Sequence, residues 1–196
     1  IFHAGIRADI NYAGDKIGPS LNLEKSAREM SLTEIENMKT AFVECAVRAY
    51  QCEYDGIELH AAHGYLIGQF LSKKFNKRKD IYGGDLKNRA KILTDIIDEV
   101  KEKTSSTFLI GVRISPERFG LDTEEMITLY KMLCENNYVH FIDISLWDSF
   151  KLVEDGPYSG ESLLKLFTTI NRGKKLLTVA GKIFSYEDIE ILQGNN

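Results

Sequence analysis

Between Gly56 and Phe70 the chain reads GIELHAAHGYLIGQF, an apolar run that ends in His60 and His63 and continues into Gly64 and Tyr65. Three kinds of chemistry suit these residue types. As metal ligands, the histidines have a spacing that fits a turn, and Glu58 offers a third donor. Against this, Glu58 and His60 are alternating strand positions, the HExxH pattern is absent, and His3 and His140 lie on other strand-like runs, so no metal is expected. As neutral donors at a strand end, the two imidazoles can polarise one carbonyl or nitro oxygen while the Tyr65 phenol protonates a developing carbanion. That pairing suits reduction of an activated double bond, with hydride from a cofactor. As structural groups, they tie a loop to the backbone. Spacing leaves the last two readings open.

Arg113, in the apolar stretch FLIGVRIS, raises a similar choice. A charge in such a run must be met by a partner. It either stabilises negative charge on a bound ring or forms an ion pair with a strand-end acid such as Asp143. In VAGKI, Gly181 and Lys182 sit between a strand and a helix, where backbone amides can hold a phosphate, although glycine also serves ordinary turns there. No GxGxxG follows the first strand and no GxxxxGK[ST] occurs, which excludes the usual dinucleotide and P-loop signatures.

The elements that must position these groups alternate. Strand-like runs fall at Ile1–Ala4, Gly56–Ala61, Phe108–Ile114, His140–Leu146 and Leu176–Val179, and read as apolar on both faces. Helical patterns lie between them. SLTE at Ser31 is a capping box, followed by Ile35, Met38, Phe42, Cys45, Ala46 and Ala49 on one apolar face. Further helices are expected over 86–103, after Asp122, over 160–171 and from Ser185. The class is therefore α/β with a parallel sheet. A doubly wound sheet and an incomplete (β/α)₈ TIM barrel both fit, and both place active residues at the carboxyl ends of strands. His60, His63, Arg113 and Gly181 fall there.

Composition narrows the partners. With 196 residues and 43% hydrophobic content, a single domain is expected. The formal net charge of -4 and scattered basic residues argue against nucleic acid, and KKFNKRK (73–79) reads as a solvated loop. Three cysteines without ligand spacing suggest a reducing, cytoplasmic setting, with Cys45 in the core. No apolar run nears the ~18 residues of a membrane span. The abrupt apolar start and the ending in SYEDIEILQGNN read as a piece of a longer chain.

A longer pattern adds to this. HAAHGYLIGQFLSKKFNKRKDIYGGDLKNRAKIL, followed by GVRIS, resembles the Old Yellow Enzyme family of FMN-dependent ene-reductases, whose barrel carries H-x-x-[HN]-G-Y, F-L-S, N-x-R-x-D-x-Y-G-G and N-R. The resemblance implies that His60 and His63 bind the electron-withdrawing group of a small electrophilic substrate. It implies that Tyr65 donates the proton, and that Arg113 lies beside the flavin's N1 and O2 edge. Gly181 and Lys182 correspond to the start of the phosphate loop, and NADH or NADPH is the implied reductant. The stretch from Asn76 to Arg89 is expected to serve structure.

The chain also departs from the family pattern. HAGR reads HAGI, with Ile6 in the arginine's place and Arg7 after it. By this likeness residues 1–196 are one partial domain covering about barrel strands 3 to 7. The glutamine that bonds the flavin pyrimidine and the Gly-Arg phosphate clamp lie outside that span. Weak FMN binding by the isolated chain is the corresponding expectation, with a catalytically inert barrel fragment that self-associates through open strand edges as the alternative.

Overall fold

The structure, a computed structural model, describes residues 1–9 and 14–194. In chain order these form a 3₁₀ turn (Gly5–Arg7), β1 (Lys16–Gly18), a second 3₁₀ turn (Leu23–Lys25), β2 (Ala27–Glu29), α1 (Leu32–Gln51), β3 (Gly56–Ala61) and α2 (Leu66–Leu71). They continue with α3 (Leu86–Lys103), β4 (Leu109–Ile114), α4 (Thr123–Glu135), β5 (Phe141–Ser145), α5 (Leu163–Thr168), β6 (Leu176–Ala180) and α6 (Tyr186–Gly194).

Helix starts follow from short polar side chains. Ser31 Oγ accepts from Glu34 N at 3.2 Å and Glu34 Oε2 accepts from Ser31 N at 2.8 Å, closing the capping box of α1. Asp85 and Asp122 cap α3 and α4 through Asn88 N and Glu125 N. Each such cap stabilises its helix by about 1 kcal/mol. On α1 the buried positions are Ile35, Lys39, Phe42, Val43 and Ala46; Cys45 is only half-buried, at the edge of this stripe, and Lys39 lies on it. Its ammonium lies 2.9 Å from both Glu36 and Asp95, which lets the aliphatic stem pack inward.

The main sheet has the order β3-β4-β5-β6, all parallel, and β1 and β2 make a separate two-stranded parallel sheet. A doubly wound sheet reverses its strand order at a switch point; this one does not, so it is an arc of a barrel. Register aligns Leu59, Val112, Ile142 and Leu177 in one row and Ala61, Ile114, Ile144 and Val179 in another. These rows join α1, α3 and α4 in a continuous core with Ile35, Phe42, Ile96, Val100 and Leu129. Full burial of one such side chain contributes about 1.5–3 kcal/mol.

The alternating rows correct the expectation of two apolar faces. Glu58, Gly111, Phe141 and Leu176 form one, and His60, Arg113, Asp143 and Thr178 the other. This second face is polar and open, with the Phe141 ring lying so close over Gly111 that a Cβ there would overlap it.

Two further expectations change. Ile1–Ala4 is not a strand: Ile1 N donates to Glu58 O at 2.6 Å and Ile1 O accepts from His60 N at 3.0 Å, after which the chain leaves the ladder. His3 O instead accepts from Leu66 N at 2.9 Å, and Gly5 turns the backbone at φ 58°. The helix expected over 160–171 is confined to α5, with Ser162 Oγ accepting from Lys165 N at 3.3 Å.

Candidate active site

The carboxyl ends of β3, β4 and β5 bring four predicted residues together. Arg113 stands between His60 and Asp143 in the same register row. Its Nε lies 2.9 Å from Asp143 Oδ2, although not aligned for a hydrogen bond, and its Nη2 donates to Ser145 Oγ at 3.3 Å. Thr178 Oγ1 donates to the other Asp143 oxygen at 3.1 Å. The ion-pair reading of Arg113 is thus realised, and its side chain still keeps 28% of its surface exposed.

After β3 the chain turns sharply. His63 and Gly64 both adopt left-handed backbone angles, φ 56° and 69°. For histidine this conformation costs on the order of 1 kcal/mol. Ser115 Oγ accepts from His63 N at 3.0 Å, and Arg7 Nη1 donates to His63 O at 2.8 Å, holding the turn from both sides. The His63 ring consequently folds back: Nδ1 lies 3.2 Å from His60 Nε2, and Nε2 lies 2.7 Å from Ser145 Oγ. Tyr65 completes the cluster, its ring centroid 5.3 Å from that of His60 and 5.1 Å from that of Phe2.

Burial pushes the His60 pKa down to about 4, with His63 and the Arg113 charge adding to the effect. His63 is lowered as well, by burial first and then by Arg113 and Arg7. Both rings are therefore neutral at pH 7, a form in which each still has one ring N–H to donate to a carbonyl. Among the described residues no group of three or more His, Cys, Asp or Glu side chains is placed to hold a metal ion.

Sequence reasoning missed the parts that fix this geometry. All six residues of α2 are buried, so the helix has no polar face to give it a period. Gln69, fully buried on it, accepts from Ile6 N at 3.1 Å and donates to Ala4 O at 3.1 Å and Gly64 O at 2.7 Å. Arg7 lies over the rings of Tyr65 and Phe119, 5.5 and 5.6 Å from their centroids. The HAGI departure therefore places an arginine against Tyr65 while Ile6 is buried. Ser115 and Ser145 carry no sequence signal beyond their place at strand ends.

Gly181 and Lys182 stand apart, after β6. Gly181 O accepts from Ser149 N and Oγ at 3.1 and 2.7 Å, and the backbone at Trp147–Asp148 comes within 2.9 Å of where a Gly181 Cβ would be. Lys182 Nζ lies 3.1 Å from Asp148. Asp148 and Trp147 thus join the β5 and β6 loops.

Residues 1–176 match the model of the NADH:flavin oxidoreductase / NADH oxidase family. The Bacillus subtilis (strain 168) "Probable NADH-dependent flavin oxidoreductase YqiG" is 34% identical over 200 residues, covering 96% of this chain and 54% of that protein. An NADPH dehydrogenase of Listeria welshimeri serovar 6b is 41% identical over 148 residues, covering 73% of this chain and 43% of its own. Morphinone reductase superposes with a TM-score of 0.74 at 20% identity, over 98% of this chain and 57% of that one. The chain thus spans about half the length of these relatives.

Proposed function

The chain belongs to the NADH:flavin oxidoreductase / NADH oxidase family, the Old Yellow Enzyme group, and from that premise we propose that it carries the acceptor-binding half of an FMN-dependent oxidoreductase. Its electrons come from NADH or NADPH and pass to activated alkenes or similar electrophilic acceptors. The observation that carries this reading is the neutral His60–His63 pair beside Tyr65 at the carboxyl end of β3. Two ring nitrogens there can hold one acceptor oxygen, and the Tyr65 hydroxyl is the proton source on the same side.

The residues present fit a flavin. Arg113 offers a partly exposed cation on the open face, suited to the pyrimidine edge. At the start of α6 the amides of Phe184 and Ser185 are taken by Asp188 Oδ2 at 2.8 and 2.9 Å. The Gly181 and Lys182 amides have no backbone acceptor among the described residues, which leaves them to a phosphate. When bound, FMN supplies the hydride; the chain binds and orients the acceptor and delivers the proton.

Residues 1–196 act in this reading as one partial-barrel domain, in a cytoplasmic setting that suits three free cysteines and a nicotinamide reductant. Among the described residues no helix is long and apolar enough to cross a membrane. The span of about half of the relatives favours a second reading, an inert barrel segment that holds no flavin by itself. Titration of the purified chain with FMN, followed by NAD(P)H oxidation with an enone as acceptor, separates the two. A shifted flavin absorbance with acceptor-dependent turnover supports the enzyme; free-flavin spectra and no turnover support the inert segment.

A further inference from the structure

Four side chains form one hydrogen-bonded line across the ends of β3, β4 and β5. Arg113 Nη2 meets Ser145 Oγ at 3.3 Å, Ser145 Oγ meets His63 Nε2 at 2.7 Å, and His63 Nδ1 meets His60 Nε2 at 3.2 Å. Guanidinium has donors only, so Ser145 Oγ must accept from Arg113. A neutral imidazole carries one hydrogen, so the two facing histidine nitrogens share a single proton. The line can therefore run in either of two directions.

In one direction the Ser145 hydroxyl donates to His63 Nε2, His63 Nδ1–H donates to His60 Nε2, and His60 keeps its hydrogen on Nδ1. In the other, His60 Nε2–H donates to His63 Nδ1 and His63 Nε2–H donates to Ser145. The second direction makes Ser145 accept twice and leaves its own hydrogen with no protein acceptor among the described residues. The first leaves only the His60 Nδ1–H without a protein acceptor among the described residues, on a half-buried ring where water can take it. The 2.7 Å spacing accommodates a hydroxyl donor and lies at the short end of the range for a ring N–H donating to oxygen.

We propose that Ser145 is a positioning residue that fixes His63 as the Nδ1–H tautomer, so that the resting pair presents one acceptor, His60 Nε2, beside one donor, His63 Nδ1–H. Arg113 is what orients the serine. The consequence for ligands rests on the reading of this pair as the acceptor-binding site. A neutral phenol hydroxyl, which both donates and accepts, fits between the rings as they stand. A carbonyl or phenolate oxygen, which only accepts, requires the His60 hydrogen to move from Nδ1 to Nε2, while His63 stays unchanged. The discriminating ring is thus His60, and Ser145 is what makes it so.

The tautomers are directly visible in two-bond ¹H–¹⁵N correlation spectra of ¹⁵N-histidine-labelled protein at pH 7, free of ligand. With four histidines in the chain, single His→Gln variants assign the signals. The expected wild-type result is His63 protonated on Nδ1 and His60 on Nδ1. Ser145→Ala should move His63 toward the Nε2–H form, and Ser145→Thr, which keeps the hydroxyl, should restore the wild-type pattern. His63 found as Nε2–H in the wild type, or unchanged in a folded Ser145→Ala variant, overturns the assignment. Should Ser145→Ala not fold, the wild-type spectrum decides alone. None of these readouts depends on flavin or turnover, so loss of the enzymatic reading would leave the tautomer result standing.

Discussion

The stretch from Asn76 to Arg89 and the cluster from His60 to Tyr65 are equally conspicuous in the sequence, yet they bond in opposite ways. Arg89, with no exposed surface, donates to Leu71 O at 2.8 Å and to Gly84 O, and pairs with Glu125. Arg78 donates to Pro19 O at 2.9 Å and Met30 O at 2.7 Å, and clamps Asp80. Asn76 Nδ2 bridges Phe70 O and Tyr82 O at 2.8 and 2.7 Å. Six of these side-chain bonds end on fixed backbone oxygens and the rest on partly buried carboxylates, so the stretch fastens the loop after β3 to α1, α2 and α4. At the cluster, by contrast, the ring nitrogens bond only other side chains, on an open face. Such partners can be exchanged for a ligand at little net cost, because one hydrogen bond replaces another.

Four measurements would break or sharpen that contrast. The largest effect belongs to the fastener. Arg89→Ala removes one partner of Glu125, which keeps Lys73 at 2.7 Å, and leaves two carbonyls unpaired, and should lower stability by about 3–5 kcal/mol in urea denaturation. A loss below about 1 kcal/mol would remove the distinction between the two regions.

Next comes chemistry without stability. In flavin-loaded protein, Tyr65→Phe should slow enone reduction by about 10²-fold or more, slow the nicotinamide half-reaction far less, and leave the melting temperature close to wild type. Equal loss in both half-reactions would take the proton-donor role from Tyr65.

A smaller effect is expected from pH. The unfolded chain binds a proton on His60 near the ordinary value of ~6.5, whereas the folded ring waits until about 4. Between those values the unfolded state holds more protons, so stability is full above the upper value and declines as the pH falls toward the lower one. NMR titration of the ring, with urea melts at pH 7 and 5, checks both parts; a His60 midpoint at or above the unfolded value contradicts its burial.

The smallest effect belongs to Trp147, whose ring lies 4.7 Å from the Arg118 guanidinium and is mostly exposed. Trp147→Ala should cost no more than about 0.5–1 kcal/mol by thermal melting. A larger loss would make the β5 loop a second fastener.

How far the sequence reveals this arrangement depends on period and on reach. β3 to β6 were readable as short apolar runs between turn residues and α3 by its helical period, and Ser31 and Asp122 mark where helices start. α2 was not, since a helix buried on all sides has no alternation to detect. The polar face was hidden in runs that look apolar throughout, because each strand contributes only one or two polar residues to it: Glu58 and His60, Arg113, Asp143 and Thr178. His60, His63 and Tyr65 were found by spacing and by resemblance together. Ser145 and Arg7 were out of reach: their importance comes from contacts with residues 82 and 56 positions away, which no local pattern records.

One consequence follows from the bare backbone at Gly111. With the Phe141 ring laid over it, the arc has a floor one alternating row below His60 and Arg113. Two residues along a strand span only about 7 Å, roughly the thickness of two stacked rings. The space on this face is therefore shallow, ending one alternating row beneath the histidines. Depth is set by a residue that has no side chain.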